Sequence, residues 1–203
     1  SESYIETDAL ANFEVQDSTP RVQNQASAEG GGEEVGAQPL SVVVNEIAWM
    51  GTKANPADEW IELYSNTTSS VDLVGWRLVA DDGSPDITFS TSTIATSSYF
   101  LVERTDNNTI SNISADWFGS FGSGLNNNGE ILKLYDNLGN LIDSVDFSSG
   151  WPAGQASPNY ISMERINSTS TATSTTWASN NRLTRNGLDA DNNSINGTPK
   201  AEN

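Results

Sequence analysis

Apolar and polar positions alternate with a period of two through most of this chain, in short runs separated by turn residues. Ile61 and Leu63 fall on one face of the run Trp60-Ile61-Glu62-Leu63-Tyr64 and Glu62 on the other, as in a half-buried strand. The same reading predicts strands over 42–48, 59–64, 76–79, 87–89, 99–103, 131–135, 141–147 and 161–165. Between them lie turn signals: Asp81-Asp82-Gly83-Ser84-Pro85, and Asp136-Asn137-Leu138-Gly139-Asn140, where Gly139 supplies a positive φ for a tight hairpin. Two longer insertions, 105–128 and the Ser/Thr-rich 167–176, read as loops. From Leu40 onward no amphipathic stretch is long enough for a helix of more than two turns, while in the first residues Leu10–Val15 could form a short strand or Ile5, Ala9 and Phe13 a helical stripe. Short strands at this spacing point to an all-β sandwich rather than to alternating strand and helix.

Residues 1–38 follow another pattern. They end in the acidic, Gly-rich run Ala28–Gly36, which has nothing with which to bury a core. Tyr4, Ile5, Leu10, Phe13 and Val15 are the sizeable apolar residues before it. Two readings stay open: a flexible tether, or an extended arm that docks Leu10, Phe13 and Val15 on a neighbouring molecule. The expected organisation is an arm over 1–38 followed by one domain over 39–203.

Composition narrows the chemistry. The chain of 203 residues has no Cys and no His. Disulfides, thiolate metal sites, Ser-His-Asp triads and a near-neutral imidazole base are therefore excluded. The net charge is -18, from 27 acids against 9 bases. Residues 1–40 hold eight of those acids against Arg21 alone. Such a surface repels phosphate backbones, so nucleic acid is not an expected partner. The apolar runs are too short for membrane insertion. The scarcity of Lys and the abundance of Ser, Thr and Asn fit an extracellular or cell-surface protein, and the start at Ser1 fits a processed or shortened terminus.

Three pieces in order, V-V-N-E-I-A-W-M-G from Val43, D-E-W-I-E-L-Y-S-N from Asp58 and V-D-L-V-G-W-R-L from Val71, resemble a lamin-tail domain of the bacterial type. The resemblance continues through Tyr99–Val102, Gly129–Leu134, Ile142–Val145 and Ser162–Arg165, and closes on Gly197-Thr198-Pro199-Lys200-Ala201-Glu202-Asn203, similar to a terminal G-T-P-x-x-x-N. It covers about 41–203. It implies an immunoglobulin-like β-sandwich, used as an accessory module of exported proteins and carrying no shared catalytic motif.

Several constellations remain as candidates. Among six Trp residues, Trp60 is out of phase with Ile61 and Leu63, and Trp117 lies in the long loop. Both are candidate ligand or interface aromatics, against the alternative of core packing. Glu46, Asp58, Glu59 and Glu62 gather carboxylates near the first hairpin, with Glu62 expected to face solvent. Asp189, Asp191 and Asn193 begin like a calcium loop, D-x-D-x-N, but Ser194 and Lys200 replace the Gly and Glu that complete one. Calcium is the candidate cation; the alternative is a surface turn. The Gly-rich 118–125 matches no phosphate-binding motif. The expectation is a non-catalytic module that binds proteins, including copies of itself, and is joined through its arm into a filament or surface assembly. The alternative is a surface module for glycan or calcium.

Overall fold

The computed structural model describes residues 36–90 and 92–203, so the arm residues Leu10, Phe13 and Val15 lie outside it. Twelve strands and no helix form among the described residues: β1 Val42–Ala48, β2 Trp60–Ser65, β3 Val71–Asp72, β4 Arg77–Ala80, β5 Asp86–Thr88, β6 Thr93–Ile94, β7 Tyr99–Arg104, β8 Trp117–Gly119, β9 Ile131–Tyr135, β10 Leu141–Asp146, β11 Met163–Arg165 and β12 Trp177–Ser179. They pair as a six-stranded sheet in the order β12-β11-β1-β2-β7-β8, a four-stranded sheet in the order β10-β9-β4-β5, and a small β3-β6 ribbon. The all-β sandwich expected from the alternation is what forms.

One residue in β1 decides which side chains face the core. Val44 pairs with Leu63 and Glu46 with Glu62, so Asn45 is an extra residue, a β-bulge. Before the bulge Val42 and Val44 point between the sheets; after it Ile47 does, beside Ile61 and Leu63. An unbroken alternation from Val42 would place Glu46 and Ala48 in the core instead. The bulge turns both to the outer face of the large sheet.

The core between the sheets joins these residues and Phe100, Val102 and Met163 to Leu78, Ile87, Leu132, Leu134, Ile142 and Val145 of the small sheet. Aromatic edges close its ends, with Phe89 and Phe100 centroids 5.3 Å apart at 74° and Phe147 and Trp177 at 6.0 Å and 88°. Arg165 of β11 bolts the sheets together. Its guanidinium, fully buried, reaches Asp143 of β10 at 2.6 Å and also donates to the carbonyls of Val44 and Ser170. Asp143 accepts the Val44 N–H at 2.9 Å, so β1, β10 and β11 share one clasp.

The outer face of the large sheet is buried as well. Ala48, Met50, Trp60 and Leu101 pack there against Ile110 and Ile195, which come from the loop after β7 and from the C-terminal segment. Those two coverings are tied to each other. Ser111 N–H donates to the Leu188 carbonyl at 2.8 Å, Leu188 N–H to Asn112 Oδ1 at 2.7 Å, and Lys200 Nζ to Asp116 at 2.9 Å.

Strands β3, β6, β8 and β12 were not legible in the alternation, because two or three residues carry too little periodicity. The 105–128 insertion therefore contains β8, which runs parallel to β7. The strand expected over 161–165 is shorter, since Ile161 bridges instead to Gln155 and Asn196.

Candidate functional site

The four acids gathered near the first hairpin separate in space. Glu59 turns to the Leu125 N–H at 2.8 Å and the Arg104 guanidinium at 3.3 Å. Asp58 accepts from Asn55 at 2.8 Å. Glu46 and Glu62 lie directly opposite each other across β1 and β2, and Glu164 of β11 lies opposite Glu46 on its other side. The result is a row of three glutamates across adjacent strands on the outer face of the large sheet. Glu46 and Glu62 are fully buried and Glu164 is nearly so, which corrects the expectation that Glu62 faces solvent. The reason is non-local: residues 197–203 lie across the row.

That terminal segment is built to meet carboxylates. Thr198 N–H donates to both oxygens of Glu46, at 3.0 and 3.2 Å. Lys200 adopts φ +57 and donates its N–H to Glu62 Oε2 at 2.5 Å, while Asn45 Nδ2 donates to Oε1 at 3.1 Å. Pro199 between them has no N–H, so the two donors of the segment each meet a different carboxylate. Asn203 Nδ2 donates to the carbonyls of Asn45 and Arg165, pinning the segment to the bulge and to β11. Gly197 passes so close that a Cβ there would stand 2.5 Å from Glu46 Oε1 and 3.0 Å from Trp60 Cζ2. The G-T-P-x-x-x-N ending is thus the lid of the glutamate row. Glu164, Ser162, Asn180 and Thr198 belong to this site, and reading the sequence assigned them no role. The one local signal was a Glu in the middle of a predicted strand.

Like charges directly across a sheet repel, and burial removes the water that would screen them. Burial pushes the Glu46 carboxyl up to about 8, with the Glu164 charge adding to it. Glu62 is raised well above the ordinary carboxylate range by burial and then by Glu46. Glu164 is raised by burial, against hydrogen bonds from Asn180 and Thr198. All three carboxyls are therefore shifted toward the protonated form.

Trp60 keeps the outward phase read from the sequence but is only 1 % exposed, so it is no surface platform. Trp117 is half-buried, ringed by Phe89 and Phe121 at 6.5 and 6.2 Å; its neighbour Phe118 is the exposed aromatic. Asp189 is buried. Its carboxylate accepts N–H groups from Ala54, Asp191 and Asn193 and the Asn193 side-chain amide, at 2.8–3.1 Å. Asn193 thus turns its amide nitrogen, not its oxygen, toward Asp189, and Asp191 points to solvent. This is an Asx turn that anchors the loop before β2. Among the described residues no group of three or more acidic side chains is placed to hold a metal ion.

Two antiparallel-dominated sheets face to face, with the long strands β1, β2 and β7 central, define an immunoglobulin-like β-sandwich. The family model of the Lamin Tail Domain matches residues 36–149, over half of the chain, and the chain belongs to that family. The matched stretch contains Glu46 and Glu62, while Glu164 and the terminal lid follow it within the same compact unit, Val35–Asn203. No curated protein matches the chain.

Proposed function

We propose that this domain is a non-catalytic interaction module of an extracellular or cell-surface protein, and that copies join through the N-terminal arm into a filament or surface assembly. The observation that carries the reading is the closure of the acid-rich face. Glu46 and Glu62, the acids paired across the first hairpin, lie under residues 197–203 and are bonded to internal donors. Leu10, Phe13 and Val15 are the anchors of the arm, and its role is to add a strand to a neighbour's sheet. Of the edge strands β12, β8, β10 and β5, the six-residue β10 is the longest. A head-to-tail contact of this kind propagates into a fibre unless its rotation closes a ring. Light scattering and negative-stain imaging of the full chain and of a form lacking residues 1–36 test this. Assemblies that vanish with the arm support it, and identical monodisperse monomers in both forms refute it.

A second reading, glycan binding, rests on one groove. Asn45, Tyr64, Tyr99, Ser168, Glu202 and Asn203 line an opening of about 420 Å³, with the two tyrosine rings 5.0 Å apart. Rings beside polar groups suit a sugar face. A glycan array that is silent, or that gives the same signal with Tyr99→Ala, retires this reading.

A further inference from the structure

The oxygen–oxygen contacts of the glutamate row outnumber the hydroxyl hydrogens available to them, and a carboxyl proton narrows the shortfall. Thr198 Oγ1 lies 3.1 Å from Glu46 Oε2, 3.0 Å from Glu164 Oε1 and 3.1 Å from Asn203 Oδ1. Ser162 Oγ lies 2.5 Å from Glu46 Oε1 and 3.1 Å from the Asn196 carbonyl. A hydroxyl carries a single hydrogen. Two hydroxyls therefore face five acceptor oxygens with two hydrogens between them. The Asn196 carbonyl has no hydrogen to give. Asn203 cannot reverse its amide, because its Nδ2 donates to the Asn45 and Arg165 carbonyls. Only Glu46 and Glu164 can donate back. A proton on Glu46 serves the Ser162 side, with Glu46 donating to Ser162, Ser162 to Asn196, and Thr198 donating to one of its three acceptors, so that three of the five contacts hold a hydrogen instead of two.

Among the described residues no buried cation offers another solution. Lys200 is the cation of the terminal segment, and its ammonium sits 2.8 Å from Asp116 at the surface, where it acts on Glu62 only from a distance. Arg165 of β11 points to the opposite face, toward Asp143. The remaining groups around the row are Tyr64 from β2, Tyr99 from β7 and Glu202 from the terminal segment, and none supplies positive charge.

We propose that Glu164, Glu46 and Glu62 form a proton-binding latch, which holds residues 197–203 on the sheet while the row carries its proton and releases them when that proton is lost. Release follows from the geometry. The segment is the layer that keeps water off Glu46 and Glu62, so lifting it solvates repelling charges that the three strands cannot move apart. The sandwich core lies on the other side of the sheet and is left intact. All three carboxyls are displaced upward, Glu46 to about 8, which moves the transition above the ordinary carboxylate range. This inference does not depend on the proposed assembly.

The test is amide hydrogen exchange by NMR on the full chain, with rates corrected for intrinsic base catalysis. Thr198 and Lys200 amides should lose protection by tenfold or more between pH 6 and pH 9, while Leu132 and Leu134 amides of β9 keep theirs. With Glu46→Gln the change at Thr198 and Lys200 should fall below threefold. Carboxyl carbon shifts of the unmutated protein provide a second readout that does not require the variant to fold. Titration of all three row carboxyls below pH 5.5 overturns the latch. So does unchanged protection at Thr198 through pH 9, or an equal loss of protection in β9.

Discussion

Replacing Asp143 by Ala leaves the Arg165 guanidinium buried without its counter-charge and takes the acceptor from Val44 N–H. Breaking a buried ion pair from one side costs about 3–5 kcal/mol. Replacing Arg165 by Met strands Asp143 in the same way, at a similar cost. The double variant behaves differently. It removes both charges and leaves only the Val44 N–H and the Val44 and Ser170 carbonyls short of partners. Part of that loss is recovered by relaxation and water, giving about 2–3 kcal/mol. The double variant should therefore be more stable than either single one, with a coupling of about 3 kcal/mol or more. Urea denaturation of the four proteins measures this, through midpoints at constant slope. The pair is at most 2 % exposed, so 1 M NaCl, at roughly a 3 Å screening length, should leave the pattern unchanged. Additive losses, or a double variant weaker than both singles, would refute the clasp as the bolt between the sheets.

The acids outside the clasp predict an alkaline loss of stability. Glu46 and Glu103 are pushed by burial up to about 8, and Glu59 and Glu130 to about 7, from an ordinary 4.5. An acid whose folded pKa is raised contributes stability that is full below its unfolded pKa and is lost as pH rises toward the folded one. Urea midpoints should therefore fall between about pH 5 and pH 8, and Glu103→Gln should exceed the unmutated protein at pH 9. A flat or rising profile contradicts this. Gly197→Ala forces a Cβ against Glu46, Ser162 and Trp60 and should cost about 1–3 kcal/mol, read as a lower thermal midpoint. Asp189→Ala orphans the Ala54, Asp191 and Asn193 N–H groups and should cost about 2–3 kcal/mol. In the unmutated protein, calorimetric titration with millimolar calcium should give no heat at this turn, and a saturable signal would show that a cation displaces Asn193.

The local pattern was sufficient for the strands that matter most. Alternation and β-branching bounded β1 and β9 and came within a residue or so of β2, β4, β5, β7 and β10, because a half-buried strand must show period two. The outward phase of Trp60 was legible for the same reason. What the phase could not say is what lies on the outer face. Glu62 reads as a solvent-facing acid until residues 197–203, more than a hundred positions away, fold across it. The bulge at Asn45 is likewise invisible in V-V-V-N-E-I-A, since only pairing with Leu63 and Glu62 reveals the extra residue. D-x-D-x-N marks a tight turn rich in Asx side chains, and the sequence alone could not choose between a cation and backbone N–H groups as the partners of Asp189. Strand identity is a property of neighbouring residues and is written locally. Burial, and with it the protonation of a carboxyl, depends on which distant segment excludes water, and only the tertiary structure decides that.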